Sequence, residues 1–476
     1  MIAVLAFLLV AQDTTFGSSR CGSLPGPTTR DTIDNTVLAW MRQSRTPATQ
    51  VAIVRGHAVT ERVYGWADLA TCTPASAETR FGIGSITKQM TALGTLILVE
   101  QGKLSLDDSI SRWLPESGVA WRGITVRHVL THTSGIRDSG HDDPVYPQIE
   151  IDKKIETTDS ALIARLAQDP VNFAPGEGWA YSNTGYLLLS IIVGRAGGAS
   201  FPVWMHEHVF EPLGMHATRF FDPTEIIPAM ARGYSLERGN RLRLGFYSSR
   251  SYSQRGDMGV VSTAHDMVLW SAELDSSRLV SSTSHALMLS PTRLRDGTAF
   301  PYGFGVILDD YRGEPIVRHG GTYAAGYSAE IRTLPERDLA VVVLTNQHQG
   351  NPWDLAGRLM GLADSSLRAI SSPPAQRDPT PSRTQRLAAL INGDSMAAPA
   401  TLAWRRLMYP QIRGFLSQAP HPLAVEFIAC DDVARRHIDR FGGMAVRECF
   451  YRLRPIDMTL GVLYTADDRI NGMFPR

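Results

Sequence analysis

The chain has 476 residues, 43% of them hydrophobic and 20% charged, which indicates a globular protein of more than one domain. Its 47 basic residues balance its 47 acidic residues and form no basic stripe, so nucleic-acid binding has little support. Lysine is rare, because only four of the basic residues are Lys.

The N-terminal run "MIAVLAFLLVA" is apolar and ends in a small residue. It is too short for a membrane-spanning helix, which needs about 20 apolar residues, and it is typical of the hydrophobic part of a secretory signal. No Lys or Arg precedes it, and a buried N-terminal segment is the alternative. We therefore expect residues 1–20 to be a signal segment and N-terminal lead, and the protein to be secreted or periplasmic.

The four cysteines also fit export: Cys21, Cys72, Cys430 and Cys449. Four cysteines allow three pairings, and the sequence alone does not choose among them. If the two halves of the chain fold separately, the economical pairing joins the first two and the last two. Four buried thiols are the alternative.

The first elements in chain order are strands, and helices follow. Residues 51–65 predict two short strands around a Gly-containing turn. Beyond Gly84 apolar residues recur at helical spacing as far as Ile97, and Gly102 is placed to end that helix. In the helical stretch that follows, residues 184–196 are apolar on nearly every side and predict a buried helix.

Strand signals return near residue 300. Residues 302–321 predict a hairpin around "YRG", residues 327–346 a second around "PERD", and residues 353–362 a closing helix. Strands thus bracket a helical middle, and every apolar face must be covered. The predicted fold class is α/β (α+β): a mixed, largely antiparallel sheet flanked by helices, with a helical subdomain.

The segment 365–385 is rich in Ser and Pro and reads as a linker. Two helical patterns and then three strands follow it, so residues 386–476 predict a small α+β accessory domain without chemistry of its own. Any catalytic chemistry is therefore expected in the main domain, residues 21–364.

Ser85 stands three positions before Lys88, just where the first long helix begins. At the ordinary abundance of Ser, roughly 7%, four lysines give about 0.3 chance matches of this kind. One helical turn would bring the two side chains to one face, and burial together with the positive end of the helix dipole would favour a neutral amine. Such a lysine can take the proton of the serine and activate it as a nucleophile. A surface lysine on an ordinary helix is the alternative.

Two further motifs follow in order, "YSN" at 181–183 and "HGG" at 319–321, after "GSITK" at 84–88. With framing stretches such as "ITVRHVLTHTSGI" (124–136) and "FAPGEGWAYSNTGY" (173–186), they resemble the serine β-lactamases and penicillin-binding proteins. The resemblance is greatest to the class C β-lactamase and esterase branch and covers about residues 30–362.

The resemblance implies roles for individual residues. Tyr181 and Lys88 would deprotonate Ser85 and later protonate the leaving group, and Asn183 would fix Lys88 or a substrate carbonyl. The backbone N–H groups of Ser85 and Thr322 would hold the oxyanion. The strand edge that receives the substrate would consist of His319, Gly320 and Gly321, whose glycines admit a substrate backbone.

His319 departs from the family pattern, because β-lactamases and many transpeptidases carry a lysine there. An imidazole with an ordinary pKa of about 6.5 is mostly neutral at pH 7 and attracts a carboxylate weakly. Arg318 would not replace that charge, since neighbouring residues on a strand point to opposite faces. In the family, His-x-Gly forms occur in esterases and D-amino-acid amidohydrolases.

Histidine pairs give no metal site in this interpretation. His206 and His208 are two apart on a predicted helix and face different directions, and His128 and His132 lack the Glu of a His-Glu-x-x-His motif. No class A Glu-x-x-Leu-Asn segment is found, so deacylation would use the Tyr181 side of the site. We expect no metal and no cofactor.

The sequence therefore predicts a serine hydrolase that forms an acyl-enzyme on a carboxylic ester. The alternatives in the same class are a D-alanyl-D-alanine carboxypeptidase, a D-aminopeptidase or a weak class C-type β-lactamase. A catalytically silent binding or scaffold protein is the alternative outside it. The expected partners are a small ester, a β-lactam or a D-amino-acid peptide, with no nucleic acid; the natural substrate, the oligomeric state and the task of the C-terminal domain stay open.

Overall fold

A computed structural model describes residues 21–475 with internal gaps. The gaps are 28–29, 139–153, 238–240, 312–313, 369–375, 402–403, 406–408, 417–418, 433–444 and 457. The predicted signal segment lies outside the described residues, as does most of the "YRG" turn.

The helices of the described chain are α1 (Thr32–Ser44), α2 (Thr87–Glu100), α3 (Ile110–Trp113), α4 (Val126–Leu130), α5 (Asp159–Leu166), α6 (Asn183–Gly197), α7 (Phe201–Met205), α8 (Glu211–Leu213), α9 (Arg250–Ser253), α10 (Ala264–Asp275), α11 (Ser282–Met288), α12 (Pro352–Ala363), α13 (Pro381–Ile391) and α14 (Tyr409–Leu416). Short 3₁₀ turns occur at Gly84–Ile86, Pro115–Ser117, Pro335–Arg337 and Ser365–Leu367, and a π-helical turn at His206–Phe210.

The strands are β1 (Ala48–Arg55), β2 (Ala58–Asp68), β3 (Thr73–Pro74), β4 (Phe81–Gly82), β5 (Arg219–Phe220), β6 (Tyr234–Leu236), β7 (Leu242–Leu244), β8 (Val260–Ser262), β9 (Thr292–Arg293), β10 (Ala299–Phe300), β11 (Ile307–Tyr311), β12 (Glu314–Tyr323), β13 (Tyr327–Leu334), β14 (Leu339–Thr345), β15 (Ala424–Asp432), β16 (Ala445–Arg454), β17 (Met458–Thr465) and β18 (Ile470–Pro475).

Seven strands form the main sheet in the order β11-β12-β13-β14-β1-β2-β3, and every neighbouring pair is antiparallel. The three predicted hairpins are all part of it. The first and last hairpins meet where β1 pairs with β14, with Val51 opposite Val343. The sheet thus joins the two ends of residues 21–364, in agreement with the strand patterns that bracket a helical middle.

Helices cover both faces of this sheet, and the side chains of β14 pack against helices on each face. Val341 and Val343 pack into a cluster with α1 and α12 on one face. Val342 and Leu344 belong to the larger cluster with α2 and α6 on the other face. Because successive side chains of a strand alternate in direction, β14 supplies both cores and is buried throughout. The predicted fold class is confirmed.

The helical subdomain is built around α2 and α6, whose side chains are buried almost continuously. No single helix of the described chain is long and apolar enough to span a membrane, whereas Asn183–Gly197 and Phe201–Leu213, bent by 76°, pass that test only as a pair. The closing helix α12 also agrees with its prediction.

The C-terminal unit contains an antiparallel four-stranded sheet in the order β15-β16-β17-β18. The last strand, β18, was not predicted, and α13 begins at Pro381, inside the segment assigned to the linker. Proline suits the first position of a helix because its missing N–H would have no partner there. Two disulfides join Cys21 with Cys72 and Cys430 with Cys449, the economical pairing.

Candidate active site

The candidate nucleophile, Ser85, follows a tight turn at which only glycine fits. Gly84 has φ +53°, and a Cβ on it would come within 2.6 Å of the Thr322 backbone nitrogen. The 3₁₀ turn Gly84–Ile86 leads directly into α2, so Ser85 stands at the helix start with 9% of its surface exposed. The turn therefore presents the serine hydroxyl beside the edge of β12.

Lys88 is fully buried on the first turn of α2 and contacts three oxygen atoms. Its Nζ lies 3.1 Å from Ser85 Oγ, 2.7 Å from Asn183 Oδ1 and 2.8 Å from the backbone oxygen of Asp257. The last two can only accept hydrogen bonds. A neutral amine would donate its two protons to these two acceptors, and its lone pair would then be directed at the serine hydroxyl. The geometry suits a general base for Ser85.

Tyr181 closes the other side of the serine. It precedes α6, whose N-cap Ser182 accepts a hydrogen bond from the Gly185 N–H, and its phenol lies close enough to Ser85 for that hydroxyl to lower its pKa. The Lys88 Nζ lies 4.8 Å from the centre of the Tyr181 ring. Burial raises the pKa of Tyr181 well above its ordinary value, so the phenol of the free protein is protonated and suited to donate a proton.

The edge of β12 meets the nucleophile turn backbone to backbone. A Cβ on Gly321 would lie 1.8 Å from the Ile83 oxygen and 3.0 Å from the Ser85 nitrogen. Thr322, next along the strand, is exposed at the same edge. The two predicted oxyanion donors, the amides of Ser85 and Thr322, thus lie side by side where the carbonyl of a substrate could enter.

His319 is 3% exposed and lies beneath this edge. Its Nδ1 is 2.6 Å from the Gly320 carbonyl oxygen, which only accepts, so Nδ1 carries the proton and Nε2 accepts from the Tyr302 hydroxyl at 3.2 Å. Burial, reinforced by Lys88, lowers the pKa of His319 to about 3. The imidazole is neutral, and Arg318 lies 3.8 Å from Glu330 Oε1, so neither residue presents a cation to this edge.

Sequence reasoning missed several residues that support the site. Asp138 accepts hydrogen bonds from the start of α6, and the Tyr302 hydroxyl fixes His319. His132 packs against Tyr181 with ring centroids 4.4 Å apart and the ring planes inclined by 39°, and its Nδ1 accepts from the Ser182 N–H. Only His132, in the left-handed region at φ +58° within the framing "THTSG" stretch, carried a sequence signal.

The histidines set aside as metal ligands have structural contacts. His128 Nδ1 lies 3.1 Å from the Thr125 nitrogen and completes the cap of α4, while His206 and His208 lie in the π-helical turn. Within the described ranges, no group of three or more His, Cys, Asp or Glu side chains is arranged to hold a metal ion.

Comparison with known proteins places these motifs in context. The family model described as "Beta-lactamase" matches residues 33–364. "Penicillin-binding protein 4*" of Bacillus subtilis is 30% identical over 321 residues, which are 65% of this chain and 70% of that protein. A D-aminopeptidase of Brucella anthropi is 27% identical over 319 residues, which are 67% of this chain but only 59% of the relative's length.

Two solved structures with a similar fold are a penicillin-binding protein and a homologue of one. A penicillin-binding protein from Bacillus halodurans superposes with a TM-score of 0.61 at 26% identity, over 70% of this chain and 100% of the other. An octameric penicillin-binding protein homologue from Pyrococcus abyssi gives a TM-score of 0.60 at 22% identity, over 92% of this chain and 94% of the other, and supports the fold alone.

Proposed function

Because the chain belongs to the β-lactamase family and is a serine hydrolase, we propose that it hydrolyses amide bonds formed by the carboxyl group of a D-amino acid, as a D-aminopeptidase or D-amidase. This gives preference to one of the alternatives from the sequence over the ester. The 27% identical relative is named a D-aminopeptidase, which supports that preference.

The observation that carries the proposal is the neutral strand edge. A terminal carboxylate on the leaving group, as in a D-alanyl-D-alanine carboxypeptidase substrate, would gain most from a cation at the place of His319. Here the buried imidazole is neutral and Arg318 faces Glu330. A leaving amine without an adjacent carboxylate suits this edge better.

Each residue has a defined task in the proposed reaction. Ser85 Oγ attacks the substrate carbonyl while Lys88 takes its proton, and the amides of Ser85 and Thr322 hold the oxyanion. The Tyr181 phenol then protonates the departing amine and recovers a proton from Lys88. A water molecule attacks the acyl-enzyme along the reverse route, and the D-amino acid leaves.

A substrate panel tests the proposal on the purified chain. We expect D-alanine p-nitroanilide to be cleaved at least tenfold faster, as kcat/KM, than its L enantiomer and than a peptide ending in D-Ala-D-Ala, since one well-placed contact is worth about that factor. Ser85→Ala is the blank for contaminating activity. Faster cleavage of a chromogenic cephalosporin or of the D-Ala-D-Ala peptide would contradict the proposal.

A carboxylic ester is the second candidate, because a neutral edge equally suits an uncharged alcohol leaving group. p-Nitrophenyl butyrate in the same panel separates the two: faster turnover of this ester than of every D-alanine derivative would favour the esterase. A silent scaffold protein would turn over none of these compounds and would form no fluorophosphonate adduct on Ser85 detectable by mass spectrometry.

We also propose that the chain is exported. Its four cysteines form two disulfides, which persist in oxidising compartments. Expression with the native N-terminus in a bacterial host, followed by cell fractionation, tests this. Recovery of the uncleaved, reduced chain in the cytosol would contradict export.

A further inference from the structure

Asp138 lies behind the catalytic lysine and is 5% exposed. Its carboxylate accepts hydrogen bonds from the Asn183 side-chain Nδ2 at 3.0 Å and from the Thr184 backbone N–H at 3.1 Å, with the Thr184 hydroxyl at 3.4 Å. These donors form the first turn of α6, where a negative charge is favourable. The carboxylate therefore holds the helix start that carries Asn183.

The contact determines which way the Asn183 amide faces. A carboxylate only accepts, so Asn183 must turn its Nδ2 group toward Asp138 and its Oδ1 toward Lys88, whose Nζ is 2.7 Å away. An amide turned over would bring N–H groups against the lysine and an oxygen against the carboxylate. The carboxylate would repel the oxygen, and the N–H groups would compete with Ser85 for the lone pair of a neutral Lys88, so the carboxylate fixes the observed orientation of the amide.

We propose that Asp138 is a positioning residue for acylation: through Asn183 it keeps an acceptor in front of Lys88 and so leaves the lone pair of the amine directed at Ser85. The proposal rests on the proposed function, in which Lys88 is the base. No part of it requires Asp138 to touch the substrate.

Asp138→Asn tests the orientation of the Asn183 amide, because the Thr184 backbone N–H is held in place by the first turn of α6. That fixed donor requires the new amide to present its oxygen to Thr184 and therefore its NH₂ group to Asn183. Asn183 must then turn over and face Lys88 with a donor. The variant thus changes the direction of one hydrogen bond while keeping the size of the side chain.

A double-mutant cycle separates positioning from a structural effect. The readout is the rate constant for fluorophosphonate labelling of Ser85 by mass spectrometry, which needs no natural substrate. We expect Asp138→Asn to slow labelling about tenfold or more, a modest part of a general-base contribution. In an Asn183→Ala background, where no amide can turn over, the same change should slow labelling less than about twofold.

Thr184→Val is the matched control, since it removes the hydroxyl that donates to Asp138 and leaves Asn183 in place. It should label at the wild-type rate. Thermal unfolding verifies that each variant is folded, and Asp138→Ser, which also removes the acceptor-only group, replaces Asp138→Asn in the cycle if that variant does not fold.

Equal slowing in both backgrounds, or none in either, overturns the positioning role of Asp138. Wild-type protein that is not labelled at Ser85 overturns the proposed function instead. The two failures are therefore distinguishable in one set of measurements.

Discussion

The helical side of the catalytic centre and its strand side are built in opposite ways. On the helical side, the proposed roles of Ser85, Lys88 and Tyr181 depend on side-chain atoms, with Lys88 Nζ 3.1 Å from Ser85 Oγ and 4.8 Å from the centre of the Tyr181 ring. On the strand side, the proposed roles of Gly321 and Thr322 depend on backbone atoms, and Gly321 packs so closely against the nucleophile turn that a Cβ would not fit there. The helical side should thus be sensitive to changed chemistry, and the strand side to added volume.

The largest effect should come from removing the nucleophile on the helical side. Ser85→Ala should lower kcat/KM by roughly a thousandfold or more, since the remaining groups bind but cannot form the acyl-enzyme. The fastest substrate of the panel provides the assay. Ser365→Ala, at an exposed serine far along the chain, is the control, and comparable residual rates in the two variants would remove Ser85 from the mechanism.

Substitutions of Lys88 test whether the helical side requires a group that can lose a proton rather than a positive charge. Lys88→Ala should reduce turnover by about a hundredfold or more, as general bases do. Lys88→Arg should not restore it, because a guanidinium keeps its proton at any working pH. Steady-state kinetics beside the exposed-residue control Lys103→Ala would measure this, and an active arginine variant would argue against the base role.

Gly321→Ala tests the volume sensitivity of the strand side. The added methyl would overlap the Ile83 oxygen, 1.8 Å away, so β12 must move from Ser85 and the oxyanion amides separate. We expect a loss of about 10²-fold in kcat with little change in KM, as for a missing oxyanion donor. Gly198→Ala, where a Cβ meets no atom within 4 Å but φ is +75°, controls for stability. Equal kcat in both variants would contradict the packing argument.

His319 should show the smallest effect, and on stability rather than rate. Its pKa falls from 6.5 to about 3 on folding, so between these values the unfolded chain binds the additional proton and acid favours unfolding. Linkage makes this about 1.4 kcal/mol per pH unit. His319→Asn should therefore lose roughly 2.5 kcal/mol less of its unfolding free energy than wild type between pH 7 and 4.5.

Urea unfolding at the two pH values measures this difference. The exposed His57, replaced by Asn, is the control for the loss of an imidazole at the protein surface. Parallel acid dependence in wild type and His319→Asn would show that the buried imidazole does not contribute.

Sequence reasoning succeeded where the signal is local. Each of the three hairpins has two strand-like segments around a short turn, and Ser85 with Lys88 is a pair within one helical turn. The meeting of Tyr181 with that pair, nearly a hundred residues away, came from the family resemblance rather than from any local pattern.

Contacts between distant segments could not be predicted in this way. Asp138 is 45 residues from Asn183, and nothing in "GIRDSG" distinguishes it from a solvated turn aspartate. Tyr302 reaches His319 only because the chain turns back at β11, and β18 was missed because a short strand carrying Gly and Pro has a weak strand pattern. Tertiary placement, not composition, defines these residues.

The apolar cluster of the C-terminal unit has a practical consequence. It unites Leu387, Trp404 and Tyr451 with Trp179 and Tyr302 of the hydrolase region, and the partly buried ring of Tyr181 packs against it. Truncation of the chain at the proline-rich segment would expose aromatic rings that border the proposed catalytic site. The truncated protein should aggregate and be poorly soluble, so the two parts of the chain are best expressed and engineered together.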